Sequence, residues 1–508
     1  MKSVIRAILG LVVGLAAVAS VHTQERVGDE AWDLASIAAR VLEADPEVRA
    51  SGALASIAAA QYGLELDKAG PKFTLGLTPL SYDARRAFDF SKLGGSPPYY
   101  ADTGALSLGG GLNYSQVLPT AGSLSAGVKS GFSVTDKDGG IEYAVTPSLS
   151  ASLRQPLFAV GEFLPFGAAT AARRSVAIVA EQAALDDRAR RNQAVRAAVE
   201  IAGRVLVLRR TLAVQEASLS SALGRAESFG LRRSAGTTTE DAALESALSA
   251  ELVRQSLLDT RLSLREAERR LASVLGLEPG AGGSMILPPL SDRVPSLDPA
   301  VPPVAGETPD AARAALSSEK ARTDAVARST IDVPILVTSL AASPRYPDSR
   351  GDPSDPGTLI SDFADTAGGA GLSWNVSLTL DVPLSAGASR EYRRRIEALS
   401  VDAADAQLAQ AERATADRAA SLAGTRDALR ERLSIQRRIA ELNARKADRA
   451  AQLAAAGTLT SDDVASARSE RDRAFAEALR VELDLLLSEL DLRALAGDDL
   501  AAALAGAR

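Results

Sequence analysis

From Ser385 to Leu495 the chain offers almost nothing that would stop a helix. No Pro follows Pro383, and between Gly387 and Gly497 the only glycines are Gly424 and Gly457. Ala, Leu, Arg and Glu dominate this run, all good helix formers. Ala474, Ala478, Val481, Leu485, Leu492 and Leu495 recur at steps of three, four or seven, a stripe suited to antiparallel coiled-coil packing. The stretch predicts one very long helix, a turn at Ala456-Gly457-Thr458-Leu459-Thr460, and a second long helix returning.

Composition narrows what such a hairpin can belong to. Aromatic residues make up 4% of the 508, which suits close helix packing better than a thick globular core. There is no Cys and the one His is His22, so disulfides, thiolate metal sites, a lipidated Cys and imidazole chemistry all drop out. We therefore expect no enzyme, cofactor or metal. A formal charge of -7 without a long basic block argues against nucleic-acid binding. Residues 1–19 read as a signal peptide. Lys2 and Arg6 precede the apolar run Ala7 to Val18, and Ala17-Val18-Ala19 is a small-residue cleavage site. No later segment has the roughly 18 uninterrupted apolar residues of a membrane helix.

The hairpin has a copy. Asp45-Pro46 opens an Ala-rich helix ending at Pro71, and Thr308-Pro309 opens another ending before Pro334, at the same Pro-to-Pro spacing. Gln155-Pro156-Leu157-Phe158 corresponds to Val382-Pro383-Leu384-Ser385. Ala235-Gly236-Thr237-Thr238-Thr239 corresponds to Ala456-Gly457-Thr458-Leu459-Thr460. Three landmarks in one order predict an internal duplication. Residues 20–276 form the first repeat, with a short helix, strands over about 73–157 and a helical hairpin over about 168–276. Residues 308–497 form the second, with strands over about 333–385 and a hairpin over about 388–497. A Pro/Gly-rich joint, 277–307, connects them, and 498–508 is a tail. Each long helix would measure on the order of 100 Å at about 1.5 Å per residue.

The segments before the long helices alternate with period two. Trp374, Val376, Leu378, Leu380 and Val382 share one face, and Ser373, Asn375, Ser377, Thr379 and Asp381 the other. Leu149, Ala151 and Leu153 alternate likewise with Ser148, Ser150, Ser152 and Arg154. This fits transmembrane strands of a water-filled barrel, with a soluble half-buried sheet as the alternative that the export signal disfavours. Phe73 to Tyr82 and Ile335 to Leu340 are the partner strands, with polar loops at Asp83 to Gly104 and Ser343 to Ala370. An additional alternating hairpin, Leu106–Leu118 and Leu124–Val134, turns at Pro119-Thr120-Ala121-Gly122. It either joins the wall or stands above it. Trp374 and Phe158 are interface or core aromatics, and Tyr99 and Tyr100 are placed in a loop.

The ordered set of Asp45-Pro46, Gln155-Pro156-Leu157-Phe158, Val382-Pro383-Leu384 and the turns at Gly236 and Gly457 resembles the outer-membrane efflux protein family, the TolC-like channels. The resemblance covers nearly the whole mature chain. It implies a mainly α fold with transmembrane β structure: a homotrimer whose helices form an α-helical barrel and whose four strands per protomer close a twelve-stranded β-barrel. It implies a passive conduit of a tripartite efflux or type I secretion system, in the outer membrane and its lipid and reaching into the periplasm. A periplasmic adaptor protein and an inner-membrane RND or ABC transporter would be its partners, with no nucleic acid. Acidic residues at the hairpin tips would ring the entrance: Asp463 where the family has its first tip Asp, with Asp462, and Glu240 and Asp241 in the first half. Ser466 stands where a second ring would be, and Leu459 where one member has a closing Arg. The same acids serve equally as first-turn partners of the helix dipole. Gly236, Thr237, Gly457, Thr458 and Leu459 would dock the adaptor. Two readings compete. A structural or adhesive coiled-coil surface protein would show one heptad run without duplicated strands, and a periplasmic adaptor would carry one hairpin.

Overall fold

The computed structural model describes residues 32–88, 100–118, 120, 122–137, 140–159, 162–163, 166–278, 285–287, 308–328, 335–345, 349–350, 371–382 and 387–506. The residues read as a signal peptide, most of the Pro-rich joint, Tyr99 and residues 351–370 lie outside these. In chain order the elements are α1 (Leu34–Ala44), α2 (Pro46–Asp67), β1 (Lys72–Phe88), β2 (Tyr100–Val117), β3 (Ser123–Lys137), β4 (Gly140–Ala159), the two-residue β5 (Glu162–Phe163), α3 (Phe166–Ser234) and α4 (Glu240–Val274). There follow α5 (Pro309–Arg328), β6 (Ile335–Arg345), the two-residue β7 (Ser349–Arg350), β8 (Gly371–Asp381), α6 (Gly387–Ala455), α7 (Ser461–Ala496) and α8 (Leu500–Gly506). They fall into two compact units. One comprises 1–49, 190–302 and 419–508, and the other 50–189 and 303–418.

The second unit holds one antiparallel sheet in the order β1-β2-β3-β4-β6-β8. Its faces follow from the register. Phe73, Leu75 and Leu77 lie beside Tyr114, Leu112 and Gly110. Val128 pairs with both Leu112 and Leu149, and Leu340 with both Leu153 and Val376. One face is thus apolar across all six long strands. The opposite face carries serines, and three cross-strand pairs bond through their hydroxyls: Ser81–Ser107 at 2.5 Å, Ser125–Ser152 at 2.6 Å and Ser339–Ser377 at 2.5 Å.

The sheet corrects three expectations. The resemblance implies four strands per protomer, and six long ones are present. The surplus is the hairpin β2–β3, which pairs with β1 on one side and β4 on the other and so lies within the sheet rather than above it. The stretch Asp83 to Gly104 is not all loop, because β1 keeps its pairing to Phe88 and β2 begins at Tyr100. A ladder needs backbone partners rather than apolar side chains, and here Asp83 and Arg85, on the polar face, pair at 2.9 Å. Likewise Ser343 to Arg345 belong to β6.

In the first unit α1 supplies Leu34, Ile37, Ala38 and Val41 to a core with Val195, Val199 and Val205 of α3, Leu271 of α4 and Leu486 and Leu490 of α7. The stripe read on α7 is buried at every position named, with Val481 and Leu492 fully enclosed. Gly203 permits this packing, since a Cβ there would lie 2.2 Å from Leu483 Cδ1. The stretch read as a tail holds α8, whose Leu500 and Leu504 join the same core. The Asn192 side-chain amide donates to the Asp498 carbonyl at 2.7 Å, and its Oδ1 accepts from the Leu500 N–H at 3.1 Å. Of the joint, Met285 and Leu287 are buried, and the Ile286 carbonyl accepts from the Trp32 N–H.

The helices repeat as the sequence suggests. α3 and α6 have 69 residues each, and α4 and α7 have 35 and 36. α2 and α5 have 22 and 20.

Candidate functional site

The two hairpin turns are built from the same hydrogen bonds. Gly236 (φ 69°) and Gly457 (φ 78°) take the left-handed conformation that L side chains resist. The Gly236 N–H donates to the Arg233 carbonyl and the Thr237 N–H to the Arg232 carbonyl. In the copy, Gly457 donates to Ala454 and Thr458 to Leu453. Both are Schellman motifs, which satisfy the carbonyls a helix end leaves open. In both, the Thr hydroxyl adds a bond to the same carbonyl, Thr237 at 2.9 Å and Thr458 at 2.8 Å. Thr239 and Thr460 then cap the returning helices. Gly276 and Gly497 end those helices with the same motif and also have positive φ.

The acids divide by environment. Asp463 completes a capping box: the Thr460 N–H and hydroxyl donate to its Oδ2 at 3.0 and 2.7 Å, and its own N–H donates back to Thr460 Oγ1. The Thr460 hydroxyl, then its backbone N–H, with a smaller pull from Arg225, hold the Asp463 carboxyl below the usual carboxylate range. Glu240 is ion-paired with Arg233 across the first turn at 2.7 Å. Asp241 and Asp462 are exposed first-turn residues. No hydrogen bond or ion pair engages the Asp462 or Asp241 side chain among the described residues. Gly236, Thr237, Gly457 and Thr458 are exposed at the turns. Leu459 is half-buried against Ala447, Ala450, Val464 and Ala467.

Lys446, Arg449 and Glu470, charges at the second tip that sequence reading passed over, line an open groove of about 400 Å³ together with Asp463 and Ser466. Lys446 and Glu470 bridge it at 2.6 Å. Their positions on either side of Gly457 are the signal that would have paired them. At the first tip Arg232 lies over the Phe229 ring, 5.8 Å from its centroid.

At the sheet, Trp374 is 70% exposed on the apolar face, so the core alternative for it falls away. Phe158 sits in β4, its backbone paired with Leu336 and Phe163. Gln155 of β4, by contrast, is buried. Its Oε1 accepts from the Thr120 hydroxyl at 2.6 Å and its Nε2 donates to the Thr120 carbonyl at 2.9 Å, tying the β2–β3 turn to β4.

Paired long helical hairpins and a two-faced antiparallel sheet thus occur in one chain whose halves repeat. Residues 304–498 match the family model described as outer membrane efflux protein, so over these residues the resemblance read from the sequence holds. No curated protein matches the chain. Among solved structures it is similar to a membrane protein from Pseudomonas aeruginosa, at 16% identity over 91% of this chain and 90% of that one, with a TM-score of 0.59. It is also similar to the outer membrane protein VceC from Vibrio cholerae, at 16% identity, 93% and 95% coverage and a TM-score of 0.56. The Campylobacter jejuni CmeC outer membrane channel shares 12% identity over 92% and 86%, with a TM-score of 0.57. At these identities the likeness is one of fold: mainly helical, with a strand sheet.

Proposed function

We propose that this protein is the outer-membrane exit duct of a tripartite export system, a passive trimeric conduit gated at its hairpin tips. One observation carries the reading. The sheet presents an apolar face on which Leu75, Leu77, Trp374, Val376 and Leu378 are each 59–70% exposed, opposite a face of hydroxyl-bonded serines. Large exposed apolar areas mark a membrane or partner surface. Lipid outside and water inside is the two-faced environment that period-two strands match. The ends of the sheet support the orientation. The β2–β3 turn lies where the strands join the helices, while Phe88 and Arg345, the strand ends that precede the longest inter-strand segments, lie at the other end with the close of the β3–β4 ladder.

In this reading a periplasmic adaptor docks on the exposed turns at Gly236–Thr237 and Gly457–Thr458, and an inner-membrane RND or ABC transporter supplies the energy. The acids divide the labour at the tips. Asp463 holds the second turn closed as a cap, while Asp462, Asp241 and Glu240 set the charge at the entrance.

Purified protein in planar bilayers provides the test. Wild type is expected to give stable, cation-preferring channels. Asp462→Asn is expected to lower the preference for cations without abolishing conductance. A heat-resistant trimer that stays electrically silent would sink the duct reading. Unchanged selectivity in Asp462→Asn would remove only the entrance role.

A further inference from the structure

We infer that the β2–β3 hairpin is part of the membrane wall, so that each copy contributes six strands and a trimer closes a barrel of eighteen. The inference rests on the duct reading for the trimer, and on the sheet for everything else.

Position comes first. β2 and β3 lie between β1 and β4, and both the β2–β3 and β3–β4 ladders run through 15 residue pairs without a shift. A hairpin standing on the wall would break the pairing of its neighbours. This one supplies it.

Its side chains continue both faces. Leu106, Leu108 and Leu112 of β2 and Val128 of β3 lie on the apolar face and are 40–56% exposed, and among the described residues no helix packs over them. On the opposite face Ser107 bonds Ser81 of β1, and Ser125 bonds Ser152 of β4. The serine ladder therefore enters the hairpin from one flanking strand and leaves it to the other. Lys129 belongs to that face as well, since it pairs with Gly111, where a Cβ would meet the Lys129 Cγ at 2.6 Å. A cation on that face needs water.

Closure fixes the number. β1 and β8 are the edges of the sheet. Open edges are not tolerated in hydrocarbon, and six strands are too few to close alone, since single-chain barrels begin near eight. The occupant of each edge is therefore a second copy of this chain, β1 of one against β8 of the next. Barrel diameter grows about linearly with strand number, so eighteen strands enclose roughly twice the cross-section of twelve, in the range where a barrel holds an aqueous channel.

The absence of Cys makes the test direct, since any introduced thiol is the only one. Val128→Cys and Lys129→Cys in β3 are reconstituted in liposomes beside Val376→Cys and Ser377→Cys in β8, and treated with a charged, membrane-impermeant maleimide. Lys129→Cys is expected to label like Ser377→Cys, and Val128→Cys to lose labelling like Val376→Cys. Modification at Lys129→Cys is expected to reduce single-channel conductance. Equal labelling at Val128→Cys and Lys129→Cys, with β8 alternating normally, would overturn the inference. Leu112→Cys and Asn113→Cys in β2 repeat the comparison if either β3 variant fails to give a heat-resistant trimer. Silent wild-type bilayers would count against the duct alone, because the labelling pattern is read without current.

Discussion

Gly457 and Gly424 belong to the same hairpin, yet substituting them should have opposite effects. Neither has a neighbour within 4 Å of an added Cβ, so sterics do not distinguish them. Gly457 sits at φ 78°, where an L residue costs about 1–2 kcal/mol, whereas Gly424 lies within α6. Gly457→Ala is expected to destabilise by about that amount, and Gly424→Ala to stabilise by roughly 0.5–1 kcal/mol through helix propensity. Thermal melts of the two variants, run together, check the signs. Thr460→Ala removes the cap and should cost about 1 kcal/mol, read as faster hydrogen exchange in the first turn of α7. These residues were legible in the sequence because turn and cap chemistry is local. Gly203 was not: its role depends on Leu483, a residue distant in sequence that only the fold brings close.

At the scale of elements, α5 is held in its unit by polar rather than apolar contacts. Glu319 pairs with Arg174 of α3 at 2.7 Å, Asp324 accepts from Ser175 at 2.6 Å, and Asp405 of α6 accepts from Ser318 and Arg322 at 2.5 and 2.9 Å. The Arg174 guanidinium holds Glu319 below its ordinary value, and the Ser318 hydroxyl with Arg322 does the same for Asp405. For Asp324 burial pushes upward, but bonds from Lys320 and Ser175 outweigh it and the carboxyl is again lowered. Carboxyls depressed by folding stabilise fully above the unfolded value, about 4, and lose that contribution as pH falls through the lower folded values. Melting temperature should therefore hold near neutrality and decline below about pH 4. Glu319→Gln with Asp405→Asn should melt lower at pH 7 and decline less steeply. Apolar burial matters more at α8: Leu504→Ala, at a site 3% exposed, should cost about 2–5 kcal/mol in the same melts. Periodicity reveals an apolar stripe such as that of α7. It does not reveal a polar seam, whose partners come from three separate segments, nor that a short C-terminal run will find a core.

For the whole molecule, the duplication was legible because turn chemistry repeats in order: Gly276 follows Gly236 at the spacing by which Gly497 follows Gly457. The strand count was not. Alternation assigns each residue a face, but neighbours are set by pairing, and pairing is not written along the chain. With a net charge of only -7, the proposed duct would draw its selectivity from local acids, so the effect of Asp462→Asn should fade between low salt and about 1 M, where the screening length is about 3 Å. Reversal potentials across a salt series measure this.

The β2–β3 hairpin carries one more implication. In each half the strands leave a short helix and must return the chain to the same end of the sheet to start a long one. A lone additional strand would deliver it to the wrong end, and a shift by one residue would turn every side chain to the wrong face. Additions that keep both constraints therefore arrive as whole hairpins in phase with the pleat, as β2–β3 does. The calibre of such a pore is then a stepped quantity in evolution: each inserted hairpin widens a threefold wall by six strands at once, with no intermediate sizes between.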